Sequence, residues 1–117
     1  MSLKIDWLLI GALLTAMVMF GCGKETESAQ VSAGKHLYLD IHKNLEGLTA
    51  KAVADAHKKD LEVEGKYGVK YLKYWYNKDE GTVYCLSEAP SKEAAIAVHR
   101  EAHGMVPDEI LEVEQGE

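Results

Sequence analysis

The stretch KYGVKYLKYWYNKDEGTVYCLSEAPS, residues 66–91, decides the fold. Val69–Tyr76 is rich in Tyr, Trp and Val and reads as a strand. Asn77–Gly81 is a short loop containing glycine, and Thr82–Glu88 is the returning strand, so the stretch is a β-hairpin. Gly65 and Gly68 close the element before it, while Pro90 and Ser91 end the second strand and start a helix.

Working outward, each flank supplies one strand and one helix. On the N-terminal side His36–His42 alternates with period two and reads as a strand. Thr49 is placed as the N-cap of a helix over Ala50–Lys66. On the C-terminal side Lys92–His103 reads as a helix, with Gly104 at its C′ position, Pro107 beyond and a last strand at Ile110–Glu114. The order β-α-β-β-α-β is the ferredoxin-like α+β arrangement, a four-stranded antiparallel sheet with two helices on one face. The other face carries enough Tyr and Trp to make full exposure unfavourable. Sheet-to-sheet pairing into an isologous homodimer, a dimeric α+β barrel, is the expected solution.

The N-terminal third is different in kind. Trp7–Phe20 is a continuous apolar block, shorter than the roughly 20 residues a membrane span needs and of a length typical of a secretory signal. Met19-Phe20-Gly21-Cys22 resembles a bacterial lipobox, with Met19 and bulky Phe20 as departures from it. Residues 1–21 are thus expected to be a lipoprotein-like signal peptide, with an uncleaved N-terminal anchor helix as the alternative, 22–35 a polar flexible tether, 36–114 the folded domain and 115–117 a tail. Lipidation at Cys22 would anchor the domain to a membrane of the bacterial cell envelope, outside the cytoplasm. Cys85 is then single, and no intramolecular disulfide forms. The net charge of −6 is unchanged by loss of residues 1–21, which carry one Lys and one Asp. An acidic domain is a poor partner for nucleic acid and is compatible with binding a cation.

The ionisable residues on the inward helix faces carry the chemistry. On the first helix His57 falls among Ala50, Val53, Ala56 and Leu61, with Asp60 and Glu64 beside it. On the second, His99 lies beside Ala95, Val98 and Ala102, and His103 sits one turn further on. The i,i+4 spacing brings the two imidazoles within about 5–6 Å at Cβ, close enough to share a metal ion. A single inward histidine is more often a hydrogen-bonded core residue than a ligand. Three imidazoles with carboxylates nearby are costly to bury without a use. Asp40 and His42 share a face of the first strand. Amphipathicity assigns Leu37, Leu39 and Ile41 to the helix side, which sends Asp40 and His42 to the far face; the opposite assignment adds them to the histidine cluster. Cys85 is either a soft ligand or a small buried hydrophobe. Imidazole ligands suit nickel, zinc and copper alike. The chain has no HExxH, CxxC or P-loop.

The motifs D-x-H at Asp40–His42, A-H-x-x-D at Ala56–Asp60, KYGV at Lys66–Val69, Y-W at Tyr74–Trp75, E-A-P at Glu88–Pro90 and H-R-E-A-H-G at His99–Gly104 together resemble a family of small bacterial nickel-binding proteins, a domain of unknown function. The resemblance spans about residues 37–113. It implies a ferredoxin-like dimer and a nickel ion as the divalent partner, where imidazole chemistry alone leaves zinc or copper as alternatives. It implies His42, His57, His99 and His103 as candidate ligands, with Asp40 and Glu88 weaker; Asp60 and Cys85 are supporting candidates on the reading of the residues alone. The lipoprotein-like leader departs from the family and favours metal binding or sequestration at the envelope. The rivals are an enzyme with His57 as base and Asp60 as its orienter, and an interaction module using the Tyr/Trp face. A deep apolar pocket would favour the first; imidazoles fully hydrogen-bonded to protein would favour the second.

Overall fold

The computed structural model describes residues 31–117. The expected signal peptide, Cys22 and most of the tether lie outside them. The elements run in the order β1 (His36–His42), α1 (Ala50–Val63), a 3₁₀ turn (Glu64–Tyr67), β2 (Lys70–Asn77), β3 (Thr82–Ala89), α2 (Lys92–Ala102) and β4 (Glu109–Val113). The sheet is antiparallel with strand order β2-β3-β1-β4, the ferredoxin-like topology. Among the described residues no helix is long and apolar enough to cross a membrane.

Local chemistry sets the helix boundaries. The Thr49 hydroxyl accepts from Ala52 N–H at 3.1 Å, and the Ser91 hydroxyl accepts from Ala94 N–H at 3.1 Å, so each helix has a side-chain N-cap. The first helix stops at Val63 rather than Lys66, because the chain tightens into the 3₁₀ turn and reverses at Gly68, φ 67°. There Glu64 accepts the Tyr71 N–H at 2.7 Å, tying the end of the helix to β2.

The core lies between the helices and the sheet and includes Tyr38, Val53, Val69, Tyr71, Val83, Cys85, Ala89, Ala95 and Val98. Cross-strand pairing of Tyr38 with Ser87 and of Asp40 with Cys85 puts these residues on one face. The helix side of β1 is therefore Tyr38, Asp40 and His42. Leu37, Leu39 and Ile41 take the opposite side, where Leu39 pairs with Leu86 and Leu111. This corrects the amphipathic assignment. That rule holds for a sheet with one wet face, whereas here Leu37 and Ile41 are buried on the outer face as well as Tyr38 and Asp40 on the inner one. The other departure is Leu61, which is exposed on α1 while Asp60 is buried.

The loop after β1 is pinned to the hairpin. Leu45 N–H donates to Gly81 O at 2.9 Å. Gly81 has φ 64°, and a Cβ there would collide with the Leu45 backbone, so glycine is needed for both conformation and clearance. This contact fixes residues 44–48 over one end of the helix–sheet interface.

Candidate metal centre

At that end the core gives way to a cavity of about 470 Å³. Its walls include Leu45, Leu48, Ala52, Val53 and Ala56, and its polar lining includes His42, His57, Asp60, Cys85, His99 and His103, with Asn44, Glu46 and Tyr74. Five separate elements therefore bring their ionisable side chains to one place: β1, α1, β3, α2 and the turn after α2.

His99 is the hub. It lies on the inward face of α2 beside Val98 and is 1% exposed. Its Nε2 lies 2.8 Å from Asp40 Oδ2, and its Nδ1 lies 2.9 Å from Asp60 Oδ1. Burial disfavours charge on the ring, but the bonds to Asp40 and Asp60 outweigh it and raise the His99 pKa to about 9. At neutral pH the ring is an imidazolium, donating from both nitrogens. Asp40 Oδ2 also accepts from Tyr71 O–H at 3.0 Å, which reaches it from β2, across the intervening β3.

His103 follows α2 as its C-cap, with φ −149°, outside the helical range. Its Nδ1 accepts the Met105 N–H at 3.2 Å. The ring proton is thus on Nε2, which donates to Asp60 Oδ1 at 3.0 Å. One carboxylate oxygen accepts from two imidazoles, and these bonds hold the Asp60 pKa low against the desolvation that opposes them. The 3.2 Å approach of His99 Nδ1 to His103 Nε2 follows from that shared acceptor.

The remaining candidates fall into two groups. His42 stands edge-on to His99, ring centroids 4.8 Å apart and planes at 86°. Burial and the neighbouring His99 charge lower its pKa to about 4, so it is neutral at physiological pH. Cys85 lies beside it on β3, its thiol pushed up by burial and by Asp40 and Asp60. His57 packs its ring 4.7 Å from Tyr74 and has a buried Nδ1 with no partner. The pairing of His57 with Asp60 is not formed, because Asp60 is turned to His99 and His103. Glu88 lies on the outer face of the sheet, away from the cavity, where it accepts the Ser32 N–H at 3.0 Å. Tyr71, which fixes Asp40, was not anticipated from the sequence; its position on the aromatic strand gave no sign that its hydroxyl is used.

Two donor sets meet here. Asp60, His99 and His103 offer ligand atoms that all lie within 4.8 Å of one another, and so do His42, Cys85 and His99. Nitrogen and carboxylate donors in the first set suit a first-row divalent ion of the nickel type. Asp40 Oδ1 and His57 Nδ1 are buried without hydrogen-bond partners, so the cluster still has polar groups that a cation or its bound water would satisfy.

Comparison with known proteins agrees with the donor chemistry. The model of the family described as "Nickel responsive protein SCO4226-like" matches residues 38–113. The crystal structure of SCO4226 from Streptomyces coelicolor A3(2) superposes with a TM-score of 0.66 at 40% sequence identity, covering 69% of this chain and 99% of that one. No curated protein matches the chain. The chain belongs to the nickel-responsive SCO4226-like family.

Proposed function

We propose that this domain binds a nickel ion, or a divalent transition-metal ion of like chemistry, as cargo or signal rather than as a catalyst. The observation that carries the reading is the convergence of Asp60, His99 and His103 on one point of the cavity. Nickel is favoured over zinc and copper by the family to which the chain belongs. Ligation needs lone pairs on His99 and His103, so binding releases protons. Nickel affinity should therefore keep rising as pH increases towards about 9, where the His99 imidazolium is lost, rather than levelling off above 6.5. Isothermal titration with nickel across this range is the test. Heat that is absent at micromolar metal, or that persists in a His99→Ala/His103→Ala double variant, would sink the reading.

The apolar block at 7–20 and the lipobox-like Met19–Cys22 support a domain tethered by lipid to the outer side of a bacterial membrane. Detergent phase partition of wild type and Cys22→Ala tests this, with only the wild type expected in the detergent phase. Exposed Trp75 and Leu111, 51% and 48% accessible on the outer sheet face, support pairing of two copies through that face into an α+β barrel. The apolar cavity walls favour one second reading, an enzyme or carrier whose organic ligand meets His57 inside the cavity. A thermal shift of metal-free protein by small organic acids or amines, undiminished by excess nickel, would favour it.

A further inference from the structure

The two nitrogens of His99 look in different directions. Nδ1 is turned to Asp60 of α1 and His103, the oxygen-and-nitrogen set described above. Nε2 is turned to Asp40 of β1, and Asp40 is the cross-strand partner of Cys85. A different company stands around this ring as well: the His42 imidazole, its centroid 4.8 Å away and edge-on, and Cys85, which lies opposite Asp40 on β3. His42, Cys85 and His99 each place one ligand atom within 4.8 Å of the others, all three are buried, and all three line the cavity. A sulfur donor changes the chemistry. Carboxylate and imidazole together accept many divalent ions, whereas a thiolate selects soft ions. Beside this trio Asp40 Oδ1 is buried and lacks any donor, an oxygen that a nearby positive ion would compensate.

We propose that His42, Cys85 and the sheet-facing edge of His99 form a second metal position, selective for a thiophilic d10 ion, zinc(II) or copper(I). The inference deepens the metal-binding reading, since it uses the same cavity and shares His99 with the nickel position. The step is a ligand exchange without redox change: the Cys85 S–H proton leaves to solvent and the sulfur lone pair bonds the incoming ion. The Nε2 proton of His99 leaves in the same exchange. His42, already neutral, contributes a lone pair without losing a proton. With both ions bound the ring would also release its Nδ1 proton to solvent, and the resulting imidazolate would hold the harder ion on its Asp60 edge and the softer on its Cys85 edge.

The full-length chain carrying Cys22→Ser leaves Cys85 as the only thiol. Zinc(II) is titrated against a chromophoric chelator, and copper(I) under anaerobic reducing conditions against a copper(I) chelator. The expected result is that Cys85→Ser weakens one or both ions at least tenfold and leaves nickel affinity unchanged. His103→Ala should do the reverse. If Cys85→Ser alters neither zinc nor copper(I) affinity, the proposal is overturned. Should that variant not fold, cobalt(II) added to the Cys85-containing chain decides, since a thiolate ligand gives an intense near-ultraviolet charge-transfer band and its absence overturns the proposal. Failure of nickel to bind, with Cys85-dependent zinc or copper(I) binding intact, would remove the nickel reading alone.

Discussion

On the helix side of the sheet Asp40 is fully buried, while on the opposite side Trp75 and Leu111 are about half exposed, at 51% and 48%. The strands are shared, yet the charged group is inside and large apolar groups are outside. What separates the faces is the supply of partners. Asp40 has the His99 imidazolium and the Tyr71 hydroxyl within 3.0 Å, so its burial is compensated. Trp75 and Leu111 have no such enclosure within one chain. Burial here follows what each residue meets across the interface, not its own hydropathy.

The inner face should break most severely when its charge pairing is removed. Asp40→Ala leaves His99 with one carboxylate and is expected to cost about 3–5 kcal/mol in denaturant unfolding, typical of breaking a buried pair. A loss under 1 kcal/mol would mean that the His99–Asp40 contact contributes little. Titration probes the same face without mutation. The folded His99 pKa of about 9 lies above the unfolded value of 6.5. Its stabilisation is therefore complete below pH 6.5 and lost as pH rises through 9, an effect of order 3 kcal/mol. His42 works with the opposite sign. Its folded pKa of about 4 lies below 6.5, so its contribution is complete above pH 6.5 and lost as pH falls through 4. Unfolding midpoints measured from pH 4 to 10 in chelator should fall at both ends. A curve still climbing at pH 10 would contradict the His99 assignment.

Smaller effects test the cavity rim and the outer face. Gly81→Ala meets both a positive φ and the Leu45 backbone, and should cost roughly 1–3 kcal/mol while loosening the loop that roofs the cavity. Hydrogen exchange at Leu45 N–H reads that loosening directly. Leu111→Glu should change the stability of one chain by no more than about 0.5 kcal/mol, as expected for a surface site. It should nevertheless convert a dimer to a monomer in light scattering, if the outer faces pair. Equal mass for wild type and variant would argue against that pairing.

Much of the architecture was legible because each element carries local punctuation. Thr49, Ser91, Gly68 and Gly104 mark where helices begin and end, and the hairpin at 77–81 fixes the middle of the topology. The inward placement of His99 also followed from helical angle. What period two could not give was the side of the sheet: alternation in β1 separates Asp40 from Leu39 but does not say which set meets the helices. With apolar surface on both faces, hydropathy misassigned it. By sequence Asp60 is a neighbour of His57, three residues away, because spacing along one helix is visible and contact between helices is not. Its actual partners, His99 and His103, are 39 and 43 positions distant. The Tyr71–Asp40 bond depends on strand order, which sequence pattern does not encode for individual side chains.

The direction of β1 has a consequence for presentation. The chain enters the domain near Ser32, whose N–H is held by Glu88 at the Ala89 end of β3, and then runs along β1 for roughly 20 Å to His42. The cavity and its 44–48 rim sit at that far end. Whatever precedes Ser32 is thus joined at the end of β1 opposite the cavity. A domain held by its N-terminus would carry the cavity at its far end, and exchange with the surrounding medium would not have to pass the attachment point.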